Sequence, residues 1–165
     1  MDDLDFKIIK CLNEDGRKSL REVARESEVS TGTAYNRIRR LEATGVIRGY
    51  APIIDARAAG YDLTAAIGVR IAHGKLLEVE RKVAKDPRVF AVYDLTGEWD
   101  ALILARFRNR EELNDFVKST LSEEHVERTN TQLVLNTVKE ESRFNPPCVA
   151  EKQPAARTKN KQTNE

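Results

Sequence analysis

The segment with the clearest chemical signal is residues 30–40, which carries Arg, Asn, Ser and Thr side chains but no carboxylate. A helix has 3.6 residues per turn, so successive side chains point 100° apart. On that wheel Ala34 and Leu41 share the apolar side, while Asn36, Arg39 and Arg40 point away from it. Arginine binds guanine, and asparagine binds adenine, through paired hydrogen bonds in the major groove. The pattern therefore favours a helix that reads DNA.

The start of this helix has the groups that bind phosphate. Ser30 and Thr31 supply hydroxyls and free backbone N–H groups at a helix N-terminus, and Arg48 is expected to reach a neighbouring phosphate. An ordinary exposed helix with three arginines is the competing interpretation of the helix alone. The predicted DNA-contacting residues are Ser30, Thr31, Thr33, Asn36, Arg37, Arg39, Arg40 and Arg48.

Two further helices are predicted to position this reading helix. Apolar residues recur at helical spacing over 2–14, and Ser19 and Glu22 have the spacing of a capping box that starts a helix at Leu20. Residues 46–54 look extended and predict a short wing hairpin with a connecting strand. Three helices followed by a wing, with a basic third helix, predict a winged helix-turn-helix domain over 1–54.

The second half of the chain alternates strand and helix patterns, after a linker predicted at 55–62. Its predicted order is β-α-β-β-α-β, the ferredoxin-like arrangement, in a domain over 63–143. The fold class is therefore α+β. The predicted strands are 63–71, 89–95, 100–107 and 126–138, and the predicted helices are 75–85 and 109–122.

The predicted sheet is apolar on both faces, although its helices cover only one. We expect one face to carry Ala66, Val92, Leu102, Leu104 and Val134. We expect the other to carry Ile67, Ala91, Ile103 and Leu133. An uncovered apolar face needs a partner, so the pattern predicts a homodimer. A two-fold dimer presents two reading helices to a pseudo-palindromic site in double-stranded DNA.

Composition limits the remaining possibilities. The chain has 165 residues and 28 basic against 27 acidic side chains, so DNA binding must depend on local clusters of positive charge. Two cysteines, Cys11 and Cys148, make no disulfide framework, and no segment resembles a signal peptide or a membrane span. We therefore expect a cytoplasmic protein without a membrane partner. Residues 144–165 are polar and predict a disordered tail.

Residues 4–54 resemble the winged helix-turn-helix of the Lrp/AsnC (feast/famine) transcription regulators. The strings that carry the resemblance are Leu20–Val29, Tyr35–Glu42 and Gly45–Ile47, and Thr96–Asp100 resembles the family's β-hairpin signature. The resemblance implies a sequence-specific transcription regulator that assembles as a dimer, and further as a tetramer or octamer. It also implies an effector site, commonly for an amino acid, between dimers near the hairpin and the last strand.

The local chemistry is compatible with an amino-acid effector. Glu98 or Asp100 supplies an anion for the ammonium group, and the backbone around Gly97 supplies N–H donors for the carboxylate. Solvated turn residues are the competing interpretation. The predicted effector-binding residues are Thr96, Gly97, Glu98, Asp100, Thr129, Thr131 and Gln132.

Two other function classes fit a ferredoxin-like domain less well. Acylphosphatases need an arginine in the loop after the first strand, and here that loop is Ala72–Lys75, without one. RNA-binding sheets stack bases on exposed aromatic residues of the central strands; strand 100–107 offers only Phe107, while strand 89–95 offers Phe90 and Tyr93. We therefore expect no enzyme, no catalytic residue and no cofactor. The two histidines, His73 and His125, are far apart in sequence and have no ligand set at metal-binding spacing, so we also expect no metal site.

Overall fold

A computed structural model describes residues 1–121, 124–141 and 143. The predicted disordered tail, 144–165, lies outside the described residues. The chain divides into two compact units, of which one holds Met1–Pro52 with the described residues after Glu140, and the other holds Ile53–Glu140. The predicted domain bounds, 1–54 and 63–143, remain predictions. Within the described part, no helix has the length and apolar character to cross a membrane.

The first unit contains three helices: α1 (Asp3–Glu14), α2 (Leu20–Glu26) and α3 (Thr31–Ala43). They pack around a core of Ile8, Cys11, Val23 and Leu41. Removing these side chains from water is the main favourable term in holding α3 against the other two helices.

Side-chain caps fix where the helices of the first unit begin. The predicted capping box at α2 is formed: the Glu22 backbone N–H donates to Ser19 Oγ at 3.3 Å, and the Ser19 backbone N–H donates to Glu22 Oε2 at 2.7 Å. After α3, Gly45 has φ +73°, a left-handed conformation that glycine adopts without strain.

The hairpin and connecting strand predicted over residues 46–54 do not form, because the structure describes all of these residues and none of them lies in a β-strand. Pro52 lacks the N–H that a ladder requires, and Gly49 weakens a strand. The side chains of Ile53 and Ile54 are exposed, so burial does not stabilise an extended pair here.

The second unit has the predicted βαββαβ order. Its elements are β1 (Leu63–Ile71), α4 (Leu76–Val83), β2 (Val89–Asp94), β3 (Ala101–Phe107), α5 (Arg110–Thr120) and β4 (Val126–Leu133). The strands form one antiparallel sheet in the order β2-β3-β1-β4. Strand β4 stops five residues before its predicted end. Its partner β1 begins at Leu63, and the side chains of Leu135 and Val138, which follow the end of β4, are exposed.

One face of the sheet is buried under helices. Ile67, Val69, Ile103 and Phe107 pack there against α4 and α5 residues such as Phe116. The opposite face, which we call the open face, carries the alternate residues of the same strands. On β1 and β3 it carries Ala66, Gly68, Arg70, Leu102, Leu104 and Arg106.

The face predicted for two residues of β2 is wrong. Val92 pairs with Ile103 and lies under the helices, whereas Ala91 pairs with Leu104 on the open face. A register irregularity between Val89 and Ala91 shifts the strand by one residue, and such a shift moves side chains to the other face.

Candidate nucleic-acid interface and hairpin site

The N-terminus of α3 is capped by the hydroxyl groups of Ser30 and Thr33. Ser30 Oγ accepts the Thr33 backbone N–H at 3.1 Å and lies 2.9 Å from Thr33 Oγ1. The first N–H groups of a helix, here those of Thr31 and Gly32, have no acceptor within the helix. They are the groups at this position that suit a phosphate, while the Ser30 and Thr33 hydroxyls already serve the cap.

The centre of the exposed side of α3 carries Asn36 and Arg39. Both side chains are exposed, and within the described part of the chain neither makes a hydrogen bond or an ion pair. Arg48, after the helix, is exposed in the same way. The predicted base-reading and phosphate-contacting roles of these three residues therefore need no rearrangement of side chains. Tyr35, absent from the sequence prediction, is half-exposed beside them.

Two other arginines of α3 are bound by carboxylates of α1. Arg40 Nη2 donates to both carboxylate oxygens of Asp5, at 2.8 and 2.6 Å. Arg37 Nη1 donates to Asp5 Oδ1 at 3.2 Å and also to Asp2. We call these four side chains the α1–α3 ion cluster. The helical wheel suggested exposed guanidinium groups, but those of Arg37 and Arg40 are bound by carboxylates.

The charges of the ion cluster cancel, since two carboxylates face two guanidinium groups. The hydrogen bond from Arg37 lowers the pKa of Asp2 to about 2, and the same bond raises the pKa of Arg37. Asp2 and Arg37 therefore stay charged at neutral pH. The uncompensated positive charge on the exposed side of α3 comes from Arg39.

Sequence reasoning missed Asp5, which is fully buried. Its position held a usable signal, because Asp5 falls on the apolar stripe of α1 with Ile8 and Leu12, at a spacing of three and seven residues. A carboxylate on a buried stripe requires a charged or hydrogen-bonding partner, but the sequence does not say which one.

The hairpin between β2 and β3 is fastened to the end of β1. Gly97 has φ +124°, which favours glycine. Arg70 Nη1 donates to the Glu98 carbonyl at 2.8 Å and to the Gly97 carbonyl at 3.5 Å. Asp100 Oδ2 accepts the Ile71 backbone N–H at 2.8 Å. Asp100 therefore helps to hold the hairpin, and Glu98, exposed beside Arg128 at 3.8 Å, is the carboxylate better placed to take a ligand ammonium.

The predicted effector residues do not all lie on one face. Thr96, Gly97, Glu98 and Asp100 share the hairpin, but Thr129 pairs with Val69 and Thr131 with Ile67, on the side that the helices cover. Gln132 pairs with Ala66 on the open face. The polar residues of the open face near the hairpin and Gln132 include three that sequence reasoning missed, namely Arg70, Arg128 and Asn130. Two-residue alternation back from Gln132 identifies the last two of these.

The Trp99 indole lies on the open face over Gly68. A Cβ atom at Gly68 would come within 2.9 Å of Trp99 Cδ2. The guanidinium carbon of Arg128 lies 5.2 Å from the centre of the Trp99 ring, a cation–π distance. Gly68 therefore makes room for the indole, and Trp99 and Arg128 cover the strand where the hairpin meets the sheet.

Comparison with known proteins identifies both units. A winged helix-turn-helix DNA-binding family model matches residues 1–48, and a model of the Lrp/AsnC ligand binding domain matches residues 64–144. An HTH-type transcriptional regulator of Pyrococcus abyssi is 50% identical over 146 residues, which are 88% of this chain and 99% of the relative. The HTH-type transcriptional regulator FL11 of Pyrococcus horikoshii is 41% identical over 85% of this chain and 93% of its own.

The chain belongs to the Lrp/AsnC family. This Lrp/AsnC protein is a DNA-binding transcription regulator, with a winged helix-turn-helix followed by a ligand-binding α+β domain. A transcriptional regulator from Neisseria meningitidis, solved in complex with L-Met, has a TM-score of 0.81 and 29% identity over 87% of this chain and 96% of its own. AsnC of E. coli, with a TM-score of 0.82 and 22% identity over 88% of this chain and 99% of its own, shares the fold.

The contact between Gly68 and Trp99 in this Lrp/AsnC protein leads to a testable prediction. Gly68→Ala is expected to displace the indole and to lower the free energy of unfolding by about 1–3 kcal/mol, the usual cost of overpacking. Trp99 is the only tryptophan, so a red shift of its fluorescence reports the displacement directly. Gly49→Ala is the control, because apart from its two chain neighbours no atom of the described residues lies within 4 Å of its added Cβ. Unchanged emission in Gly68→Ala would show that the indole does not need the space.

Proposed function

We propose that the protein binds a pseudo-palindromic operator through the exposed side of α3. Asn36 and Arg39 read base edges, the start of the helix at Ser30–Gly32 and Arg48 contact phosphates, and Arg37, Thr33 and Arg40 flank them. The observation that carries this proposal is that Asn36 and Arg39 are exposed and have no partner among the described residues, on the helix of a DNA-binding fold. Since the proposed ligand is DNA, we also propose that the protein is cytoplasmic.

Self-association completes this proposal, because one protomer carries one reading helix. The open face carries Leu102 and Leu104, and the chain after β4 exposes Leu135 and Val138. Clustered exposed apolar residues mark interaction surfaces. We propose that a second copy covers them, and that the two-fold pair presents two α3 helices to one operator. Assembly of such dimers into a tetramer or octamer is part of the same proposal.

The hairpin is the proposed site of a small effector, an amino acid. Glu98 and Arg128 provide opposite charges next to the Trp99 ring, a combination that suits the ammonium and carboxylate groups and an apolar side chain. The L-Met complex of the Neisseria relative supports the ligand class. Thr96, Gly97 and Gln132 complete the proposed set on the hairpin and the open face, and Asp100 holds the hairpin. Thr129 and Thr131 lie on the side that the helices cover, so we leave them out of the proposed site.

The effector proposal is tested by measuring operator affinity with each of the twenty amino acids at one fixed salt concentration. At least one is expected to change the affinity about 5- to 150-fold, the ordinary range of allosteric coupling, and to change Trp99 fluorescence. Glu98→Gln should remove both responses, and Glu127→Gln, an exposed change on the same sheet, should keep them. If no amino acid changes either signal, the hairpin is not an effector site.

A further inference from the structure

The α1–α3 ion cluster places a buried carboxylate behind the reading helix. Asp5 accepts four hydrogen bonds: two from Arg40 Nη2, one from Arg37 Nη1 and one from the Asp2 backbone N–H at 2.9 Å. Both carboxylate oxygens are therefore fully used. A buried charge with this many donors is held in one geometry, and it holds its partners in turn.

The contact with Asp5 uses only some of the hydrogen-bond donors of Arg40. Its hydrogen bonds use Nη2 alone, although a guanidinium group has five N–H donors in a fixed fork. Within residues 1–121 its other nitrogens make no hydrogen bond, and 51% of the side chain remains exposed. The side chain therefore has one end fixed by Asp5 and the remaining donors accessible to a ligand.

We propose that Asp5 is a positioning residue for DNA binding, which orients the Arg40 guanidinium so that its free donors meet a backbone phosphate. The inference rests on the proposed reading side of α3, since Arg40 borders Asn36 on that helix. It assigns Arg40 a phosphate instead of a base, because the Nη2 edge that a bidentate contact with guanine needs is taken by Asp5. Orientation by a fixed carboxylate reduces the side-chain entropy that the arginine loses on binding.

For Asp5→Asn, the positioning role and simple electrostatics predict opposite changes in DNA affinity. Removing a negative charge near DNA should strengthen binding when only the overall charge matters. Asp5→Asn is expected instead to weaken binding about tenfold, the worth of one hydrogen bond to a charged group. Asp2→Asn is the matched control, because it removes the same charge from the same cluster without a contact to Arg40; it should bind as tightly as the unchanged protein or more tightly.

The experiment measures affinity for a selected operator and for random DNA over a series of salt concentrations, in the full chain. The variants are Asp5→Asn, Arg40→Gln and the two together. Loss of one phosphate contact should reduce the slope of log affinity against log salt by about 0.9 in each. The double variant should bind no more weakly than Arg40→Gln alone, because Asp5 acts through Arg40.

Each outcome has a definite meaning. If the unchanged protein does not prefer the operator to random DNA, the proposed function of α3 as a sequence reader is wrong, and this result is distinct from a failure of the positioning role. If it does prefer the operator but Asp5→Asn binds equally well, or loses the same amount in the Arg40→Gln background, the positioning role is wrong. Circular dichroism checks folding. Where Asp5→Asn is unfolded, Arg40→Lys decides, since a lysine keeps the charge but lacks the fork: several-fold weaker binding supports the role, and unchanged affinity overturns it.

Discussion

Replacing Asn36 and Arg39 together by alanine is expected to abolish the preference for the operator over random DNA. Each bidentate contact with a base contributes about 1–3 kcal/mol of discrimination. Losses at two separate base pairs roughly add, so the specific affinity should fall on the order of thirtyfold to ten-thousandfold. Binding to random DNA should change much less, because it depends mainly on phosphate contacts.

A matched control is available in the second unit. Arg81 on α4 and Asn114 on α5 are exposed helix residues of the same two types, so Arg81→Ala with Asn114→Ala removes the same charge and the same amide. Titration of both double variants against the operator and a scrambled fragment, at one salt concentration, gives the comparison. Equal losses on both fragments would mean that Asn36 and Arg39 position the backbone and read no bases.

Phe107→Ala is expected to cause the largest loss of stability. Phe107 is fully buried, its ring centroid lies 5.4 Å from that of Phe116, and the guanidinium of Arg88 lies 5.9 Å above it. Truncating a buried phenylalanine costs about 3–5 kcal/mol, through lost transfer free energy and the cavity left behind. Urea unfolding followed by Trp99 fluorescence measures this loss, because Trp99 belongs to the same unit.

Phe90 provides the comparison for this prediction. It lies on the neighbouring strand β2, is 41% exposed and packs under the guanidinium of Arg106 at 4.1 Å. Phe90→Ala should cost about 1 kcal/mol, the size of an exposed cation–π contact with little burial. Similar losses in the two variants would contradict the assignment of the core to the helix-covered face. Similar losses would also make base stacking on the sheet a candidate function again. The burial of Phe107 argues against that function, because it removes one of the aromatic residues that could stack on a base.

Much of this architecture could be predicted because it depends on local signals. The capping box of Ser19 and Glu22, the alternation along β1 and the helical stripe of Ala34 and Leu41 are each written within a few residues. The order of elements and the hairpin glycine, Gly97, follow from the same kind of signal. The resemblance to the Lrp/AsnC family then assigned both halves of the chain to one kind of regulator, and the comparisons confirm this assignment.

The errors have a different physical origin, since each depends on contacts between distant segments. The partners of Arg40 are 35 residues away in α1, so a helical wheel of α3 cannot show them. The single-residue shift in β2 reverses the face of Val92 and comes from pairing with β3. The Trp99 contact with Gly68 likewise requires the hairpin to fold back on β1. Local patterns place elements, and tertiary contacts decide which side chains remain available.

The most direct test of the account is selection of bound fragments from random DNA, at a fixed and stated salt concentration. We predict enrichment of a short pseudo-palindrome, with two half-sites about one helical turn apart or a multiple of that spacing, and loss of the enrichment in the Asn36→Ala, Arg39→Ala variant. If no sequence is enriched, or if the double variant enriches the same sequence equally well, α3 is not the sequence reader.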